Sequence, residues 1–363
     1  MVIKKTGISR DLIIHPGETI SDVLEERDIS QAELAKRTDV STAYISNVIA
    51  GKKDISANFA MKLEYALGVP KSFWLNLQAN YDAELLELTK EQTITEDERN
   101  VRNQLSEVIK YLRDHNLIPK RESIDQSILS LRTFFQVSNI ANIGSLQPTG
   151  SFRISETTQT NPYVLGAWIR LCQLRKTSDS ISSVFTPDCK DSLISELKSV
   201  MLTESDDIHS NLKSIMARYG IDFSIVANFR GAPVHGYISK NSNGIYKMAL
   251  TIRGAYADIF WFSLFHELGH IFNGDLLKTK QFIGFNEEVN KEHEANNFAR
   301  DNLLNPIAYK KFVDKKDFSI KSIQKFASSQ NVQPYVVIGR LQKEKFLSYK
   351  VLSNHKTRYT WAN

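Results

Sequence analysis

The sequence of 363 residues is poor in cysteine and contains no long apolar run. Its two cysteines, Cys172 and Cys189, lack CxxC spacing, so neither a disulfide framework nor a cysteine zinc site is indicated, and we interpret both as packing residues. No apolar stretch reaches the length of a membrane helix, and residues 1–18 lack the apolar block and cleavage site of a signal peptide. We therefore expect a cytoplasmic protein without membrane contact.

Charge is unevenly distributed along the chain, although the net charge is only +5. Residues 1–81 carry ten Lys/Arg and ten Asp/Glu, whereas residues 309–363 carry twelve Lys/Arg and three Asp/Glu. A basic C-terminus indicates a polyanion or an acidic partner, but a solvated lysine-rich surface is the more common explanation. The apolar fraction of 42% and the chain length allow two or three globular domains.

The spacing of apolar residues changes along the chain. Residues 15–81 are predicted to form short helices separated by turn residues, and residues 82–150, which include the polar stretch KEQTITEDERNVRNQ, a helical connector. Farther on, the period becomes two in DFSIVANF, PVHGYIS and IYKMALTIR, which predicts a three-stranded antiparallel meander. A buried helix is predicted next, over residues 258–273.

The first region contains the pattern of a helix-turn-helix. A helix is predicted from Gln31 to Thr38, the turn is DVS, and Ser41 caps a second helix that runs from Thr42 to Ala50. Side chains at the start of a second helix of this kind are short enough to reach base edges in a major groove. The outward side chains there, and the two lysines that follow where phosphates would lie, are Thr42, Ala43, Tyr44, Ser46, Asn47, Lys52 and Lys53.

Nearly seventy residues around this pattern, from HPGETISDVLEERD to FWLNLQANYD, resemble the Xre-type DNA-binding domain of HigA-like antitoxins. The resemblance implies a homodimer that reads paired half-sites of operator DNA. The sequence departs from it at Asp39, where glycine is common, and we expect a small stability cost there. The resemblance completes the predicted DNA-binding set, which is Gln31, Ser41, Thr42, Tyr44, Asn47, Lys52 and Lys53.

The motif HELGH at residues 266–270 places two histidines inside an apolar helix. Residues four apart share a helix face, so His266 and His270 can point at one metal ion, while Glu267 lies about 100° round, beside an open coordination position. Polar groups in an apolar run are costly unless they have partners. Either the fold or a metal ion must therefore satisfy the two imidazoles.

A zinc site of this kind needs a third protein ligand. The downstream stretch NKEHEANNFARDNLLNP is predicted to be a helix in which Glu292, Ala295 and Ala299 share a stripe of small residues facing the HELGH helix. Glu292 is the predicted ligand, and Glu294, about 160° away, is the alternative. His293 is predicted to lie on the surface, and Asn296 to hydrogen-bond a ligand histidine.

The stretches DIFWFSLFHELGHIFNGD and KEHEANNFARDNLLNP resemble the ImmA/IrrE metallopeptidases, over residues from about 150 to 345. The resemblance implies zinc bound by His266, His270 and Glu292, with Glu267 as general base, and a helix-turn-helix repressor as the usual substrate. The strand MALTIR can pair with an extended substrate along its edge. Candidates for an oxyanion donor, which the sequence does not rank, are His235, Arg253 and Tyr256.

A second helix pair is predicted near the C-terminus, in SIQKFASSQNVQPYVVIGRLQKEKF. The spacing of Ala327 and Val332 repeats that of Ala35 and Val40 in the first pair. Because the second helix of this pair presents three adjacent apolar side chains, we expect it to pack on the protein body rather than contact DNA. These side chains are Val336, Val337 and Ile338.

The whole sequence predicts a multidomain protein: an all-α helix-turn-helix domain (1–81), a helical connector (82–150), an α+β zincin-like domain of gluzincin type with a small antiparallel sheet (151–345), and a basic C-terminal tail (346–363). The expected function is DNA-binding transcription regulation coupled to a zinc endopeptidase that cleaves a helix-turn-helix repressor or its own chain. The alternative is a non-catalytic HigA-like antitoxin and autorepressor whose C-terminal domain senses a ligand or binds a toxin.

Overall fold

The computed structural model describes residues 13–360 except 147–150, 155–159, 176–180, 182, 204–206, 242, 253 and 278–284. The chain divides into two compact units, Met1–Thr95 and Glu96–Asn363. None of the helices in the described ranges is long and apolar enough to cross a membrane.

The described part of the first unit contains five α-helices. They are α1 (Pro16–Glu26), α2 (Gln31–Thr38), α3 (Thr42–Ile49), α4 (Ala57–Leu67) and α5 (Lys71–Thr89). The Ser41 side chain caps α3 by accepting a backbone hydrogen bond, as predicted, and Ser30 caps α2 in the same way. The helix-turn-helix prediction is confirmed, and Asp39 in the turn has φ 49°, the left-handed conformation for which glycine is usual.

The second unit begins with three helices, α6 (Glu96–Gln104), α7 (Ser106–Asp114) and α8 (Ile124–Phe135). These helices belong to the body of the unit, so the boundaries predicted for a connector over residues 82–150 differ from the structure. The physical reason is that the apolar residues of this polar stretch, although few, recur every three or four positions and are all buried. They are Val101, Leu105, Val108, Ile109 and Leu112.

The remaining elements of the second unit surround a small sheet. In chain order they are β1 (Ser151–Ile154), α9 (Pro162–Leu174), α10 (Lys190–Leu202), α11 (Ile208–Arg218), β2 (Ile221–Ile225), β3 (Val234–Lys240), β4 (Tyr246–Leu250), α12 (Ala257–Phe272), α13 (Phe285–Leu303), α14 (Pro306–Asp314), α15 (Ile320–Ser329) and α16 (Pro334–Lys343).

The sheet is mixed, and the predicted antiparallel meander is wrong. Its strand order is β1-β3-β4-β2, in which β3 is antiparallel to β1 and β4, whereas β2 is parallel to β4. The loop between β2 and β3 covers residues 226–233 and is therefore not a tight turn. It packs into the fold: Phe229 is buried, and the Ala227 carbonyl accepts a hydrogen bond from the Trp168 indole at 3.0 Å. Since β4 has neighbours on both sides, it offers no edge to a substrate, in contrast to our expectation for MALTIR.

Helices α12 and α13 approach each other closely. A methyl group added at Gly269 of α12 would lie 2.9 Å from the Cα of Ala295 on α13. Ala295 and Ala299 are fully buried, as the predicted stripe of small residues requires. This close packing brings polar side chains of the two helices to the same place.

The helix pair α15–α16 repeats the backbone geometry of α2–α3. The Val332 N–H donates to the Ala327 carbonyl at 3.2 Å, as the Val40 N–H donates to the Ala35 carbonyl at 3.0 Å. The residue before each valine is left-handed, with φ 53° and 49°. Helix α16 packs against α12, and the predicted packing of its apolar residues is confirmed, because Val336, Val337 and Ile338 are buried.

The last described residues of the segment predicted as a basic tail (346–363) pack against the start of α12. The Ala257 N–H donates to the Thr357 carbonyl at 3.0 Å, and the Trp261 indole donates to the Tyr359 hydroxyl at 2.8 Å. Lys356 forms a largely buried ion pair of 2.7 Å with Asp258 in the first turn of α12. These contacts fix the N-terminal end of the helix that carries the two histidines.

Candidate metal centre and helix-turn-helix surface

The two histidines of α12 point to one side of the helix. Both imidazoles are buried, and the Nε2 atoms of His266 and His270 are 3.1 Å apart. Such proximity follows from their spacing of four residues, which places them one above the other on a helix. Two ring nitrogens therefore face the same small volume.

Glu292 of α13 reaches the same volume. Its two carboxylate oxygens lie 3.2 Å from Nε2 of His266 and 3.3 Å from Nε2 of His270. Among the described residues, these three side chains form a group able to hold a metal ion, with ligand atoms within 4.8 Å of one another. The alternative ligand Glu294 is exposed and outside this group, and His293 is exposed as predicted.

The outer nitrogen of each imidazole has a hydrogen-bond partner. Nδ1 of His266 lies 3.1 Å from Oδ1 of Asn296, and Nδ1 of His270 lies 2.7 Å from Oδ2 of the buried Asp275. Asn296 was predicted from its helix position. Asp275 was not predicted, because it follows the end of α12, where helical periodicity no longer indicates the direction of a side chain. A ring that donates through Nδ1 leaves the lone pair of Nε2 available to a metal.

The carboxylates around the imidazoles favour positive charge. Burial lowers the pKa of His270, but hydrogen bonds to Asp275 and Glu292 outweigh burial and raise this pKa to about 10. Burial raises the pKa of Glu292, whereas the hydrogen bonds from the two histidines lower it to about 2. The protein therefore stabilises either a proton or a cation between the three side chains.

The spacing of the ligand atoms fits a tetrahedral ion. With zinc-to-nitrogen distances of roughly 2.0–2.1 Å, tetrahedral geometry separates two ligand atoms by about 3.3 Å. The three separations among His266, His270 and Glu292 are 3.1, 3.2 and 3.3 Å. Two imidazoles and one carboxylate are also a common donor set for catalytic zinc. The residues present therefore fit this metal.

Glu267 is fully buried beside the three candidate ligands. Its carboxyl group packs on the backbone of Gly236 in β3, where an added methyl group would come within 2.7 Å of the carboxyl carbon. Glycine at residue 236 thus leaves room for a side chain from α12. Sequence reasoning missed Gly236, because a single glycine in a strand does not reveal what lies above it.

The candidates for an oxyanion donor fall at different places. Tyr256 lies at the start of α12, where its hydroxyl accepts a hydrogen bond from Arg358. Ten residues of helix separate it from His266, or about 15 Å. His235 precedes Gly236 in β3, and Arg253 lies outside the described residues.

The predicted DNA-binding residues lie on α3 and next to its two ends, except Gln31, which begins α2. Tyr44 is half-buried against Phe59, with the Lys53 ammonium 4.2 Å from its ring centre. The Ser41 hydroxyl is committed to capping α3, where it accepts from the Tyr44 N–H at 3.1 Å. The exposed members of the set are Gln31, Ser41, Thr42, Asn47, Lys52 and Lys53.

Comparison with known proteins identifies the first unit. A helix-turn-helix family model matches residues 20–74. The chain is 45% identical over 69 residues to virulence-associated protein A' of Dichelobacter nodosus, covering 19% of this chain and 60% of that protein's length. It is 32% identical over 94 residues to virulence-associated protein I of the same organism, covering 24% and 87%. The chain therefore belongs to the helix-turn-helix family of these proteins.

Solved structures similar to this chain include antitoxins. One is a putative antidote protein of a plasmid maintenance system from Nostoc punctiforme, with 41% identity, coverage of 22% of this chain and 88% of that chain, and a TM-score of 0.21. Another is the antitoxin HigA of Pseudomonas aeruginosa with its promoter, with 35% identity, coverage of 22% and 89%, and a TM-score of 0.21.

Proposed function

We propose that the protein is a DNA-binding transcriptional regulator whose second unit is a zinc-dependent endopeptidase. The observation that carries the peptidase proposal is the convergence of His266, His270 and Glu292 beside the buried carboxylate of Glu267. The substrate that suits a regulator is a helix-turn-helix repressor or the chain itself, since its cleavage relieves repression. The confirmed helix-turn-helix supports the regulatory part of the proposal.

The exposed residues of α2 and α3 divide DNA recognition between bases and phosphates. Thr42 and Asn47 are short polar side chains on the outward face of α3, and an asparagine can pair with an adenine edge through two hydrogen bonds. Lys52 and Lys53 follow the end of α3 and supply charge to phosphates. Base contacts determine sequence preference, whereas phosphate contacts determine salt dependence.

Replacing Lys52 and Lys53 by alanine is expected to weaken binding to a duplex from the protein's own promoter. Each lost phosphate contact reduces the slope of log affinity against log salt by about one, so the double variant should lose about two. Gel-shift titration at several salt concentrations measures this slope. Lys90→Ala, an exposed lysine beyond α5, is the matched control. An unchanged slope in the double variant would contradict the proposed phosphate contacts.

The residues around the candidate metal centre have separate roles in peptide hydrolysis. His266, His270 and Glu292 would hold the zinc ion, which when bound would supply a Lewis acid for the peptide carbonyl and lower the pKa of water. Glu267 accepts a proton from the attacking water and transfers it to the leaving amine. Asp275 and Asn296 keep both imidazoles turned with Nε2 inward. The Glu292 side chain is 40% exposed, so solvent reaches the group from the side of α13.

Glu267→Gln is expected to abolish cleavage while the protein retains its metal. Loss of a general base costs about 10²–10⁴ in rate, and glutamine has nearly the same shape as glutamate. The experiment incubates zinc-loaded wild type and variant with the intact chain and with a separate helix-turn-helix repressor, and follows fragments by mass spectrometry. Glu294→Gln, on the exposed part of α13, is the control and should cleave normally.

Equal fragmentation by wild type and Glu267→Gln would contradict this role of Glu267. If the zinc-loaded wild type cleaves neither substrate, the peptidase proposal fails, and a non-catalytic antitoxin that senses a ligand or binds a toxin takes its place. The names of the similar antitoxins favour that alternative function.

A further inference from the structure

We propose that a basic cleft in the second unit binds a phosphate-bearing small molecule. The cleft has a volume of about 400 Å³ and lies along α6, α7 and the loop that follows α7. Volumes of this order accommodate small ligands. The basic side chains that line it are Arg102, Lys110, Arg113 and Lys120. The proposal does not depend on the peptidase activity, because none of these residues belongs to the metal centre.

The sequence places three of the four cations on one helical stripe. Arg102, Ser106, Lys110 and Arg113 follow one another at spacings of three or four residues, so their side chains share a face of the α6–α7 segment. Like charges at such spacings repel each other and destabilise a helix. An anion in the cleft removes this repulsion.

Both arginines of the cleft have an unsatisfied donor beside it. Within the described residues, the buried Nε atoms of Arg102 and Arg113 have no hydrogen-bond acceptor. A buried donor without an acceptor costs about 1–3 kcal/mol, and more when it is charged. The guanidinium group matches phosphate oxygens in a planar, two-pronged arrangement. A phosphate group in the cleft would bind the outer N–H groups of both guanidiniums, and its negative charge would offset the cost of the buried Nε donors.

The nearby carboxylates do not neutralise the cleft. Asp114 lines it, and Glu122 lies 3.8 Å from the guanidinium of Arg113, a separation longer than a hydrogen bond. Four cations against two carboxylates leave a surplus of two positive charges, which suits a phosphate dianion. The lining also includes one apolar residue, Ile109.

The test is isothermal titration calorimetry of the full chain with inorganic phosphate, inorganic pyrophosphate and ADP, with sodium chloride at matched ionic strength as the blank. Lys110→Gln removes an exposed charge without affecting the core, and it should raise the Kd of the best probe about tenfold or more. Arg102→Gln and Arg113→Gln should do the same. Lys321→Gln, an exposed lysine of α15, is the matched control and should leave the Kd unchanged.

Three results would overturn the proposal. If the wild type gives no binding heat above the blank with any of the three probes, the site does not exist. If Lys110→Gln and Lys321→Gln bind the probe equally tightly, the binding site lies elsewhere on the surface. If the small probes do not bind, but a labelled DNA duplex binds and Lys110→Gln weakens that binding, the ligand of the cleft is the backbone of a nucleic acid instead. Thermal unfolding of Lys110→Gln is measured as well. If its unfolding midpoint equals that of the wild type, a loss of binding is not caused by misfolding.

Discussion

The wild-type chain, purified after growth in zinc-containing medium, is expected to carry about one zinc ion per chain, and His266→Ala none. Removing His266 leaves one imidazole and one carboxylate, which is too few protein ligands for a catalytic zinc site. The variant should also lose the rise in unfolding temperature that zinc gives to the wild type, since a metal that binds only the folded state stabilises it. Inductively coupled plasma mass spectrometry and thermal unfolding with and without a chelator measure the two effects.

His293→Ala is the matched control, because this histidine lies next to Glu292 in sequence and its side chain is exposed. It should keep the full zinc content and the response to the chelator. Glu292→Gln should lose zinc as His266→Ala does, whereas Glu294→Gln should retain it. Zinc retained in both His266→Ala and Glu292→Gln would place any bound metal outside the candidate centre, and the peptidase proposal would lose its basis.

Glu98→Ala is expected to lower the free energy of unfolding of the second unit by about 3–5 kcal/mol. Glu98 is fully buried, accepts a hydrogen bond from Nε of Arg132 at 2.8 Å and accepts another from the Ile140 N–H at 3.0 Å. Removing this carboxylate leaves the largely buried guanidinium of Arg132 and a backbone donor without an acceptor. Urea denaturation followed by circular dichroism and tryptophan fluorescence measures the change.

Glu96→Ala, two residues earlier, is the control for the loss of an acidic side chain from α6. Its side chain is 80% exposed and 3.9 Å from Arg99, so its removal should change stability by less than about 0.5 kcal/mol. The double change Glu98→Ala with Arg132→Met should recover part of the loss, because it removes the unpaired charge. Equal stability of Glu98→Ala and wild type would show that the buried pair contributes nothing.

The candidate metal centre could be predicted from sequence where it depends on helical geometry. A period of 3.6 residues determines which side chains of one helix point the same way, so His266, His270 and Glu292 could be selected before the structure. Asp275 and Gly236 could not, because their places beside the centre depend on how the chain leaves α12 and how β3 lies under it. Tertiary contacts of this kind leave no periodic signal.

The sheet and the connector were harder to predict for different reasons. An alternating pattern identifies a strand but not its neighbours, so the parallel pairing of β2 with β4 had no signal in the sequence. The polar composition of residues 96–114 suggested an exposed connector, yet a narrow apolar stripe is enough to anchor a helix to a larger body. Glu98, whose buried carboxylate pairs with Arg132, adds to the apparent polarity of a segment that buries only one face against the rest of the unit.

The matching turns of α2–α3 and α15–α16 show that one local bend can produce either a recognition surface or a structural support. What differs is the environment of the second helix: α3 leaves its first turn to the solvent, whereas α16 is covered by α12. A motif search that relied on the bend alone would assign two DNA-binding helix-turn-helix motifs to this chain. The buried side chains of α16 are mostly apolar. Separating α16 from α12 would therefore expose an aggregation-prone surface rather than a second DNA-binding surface.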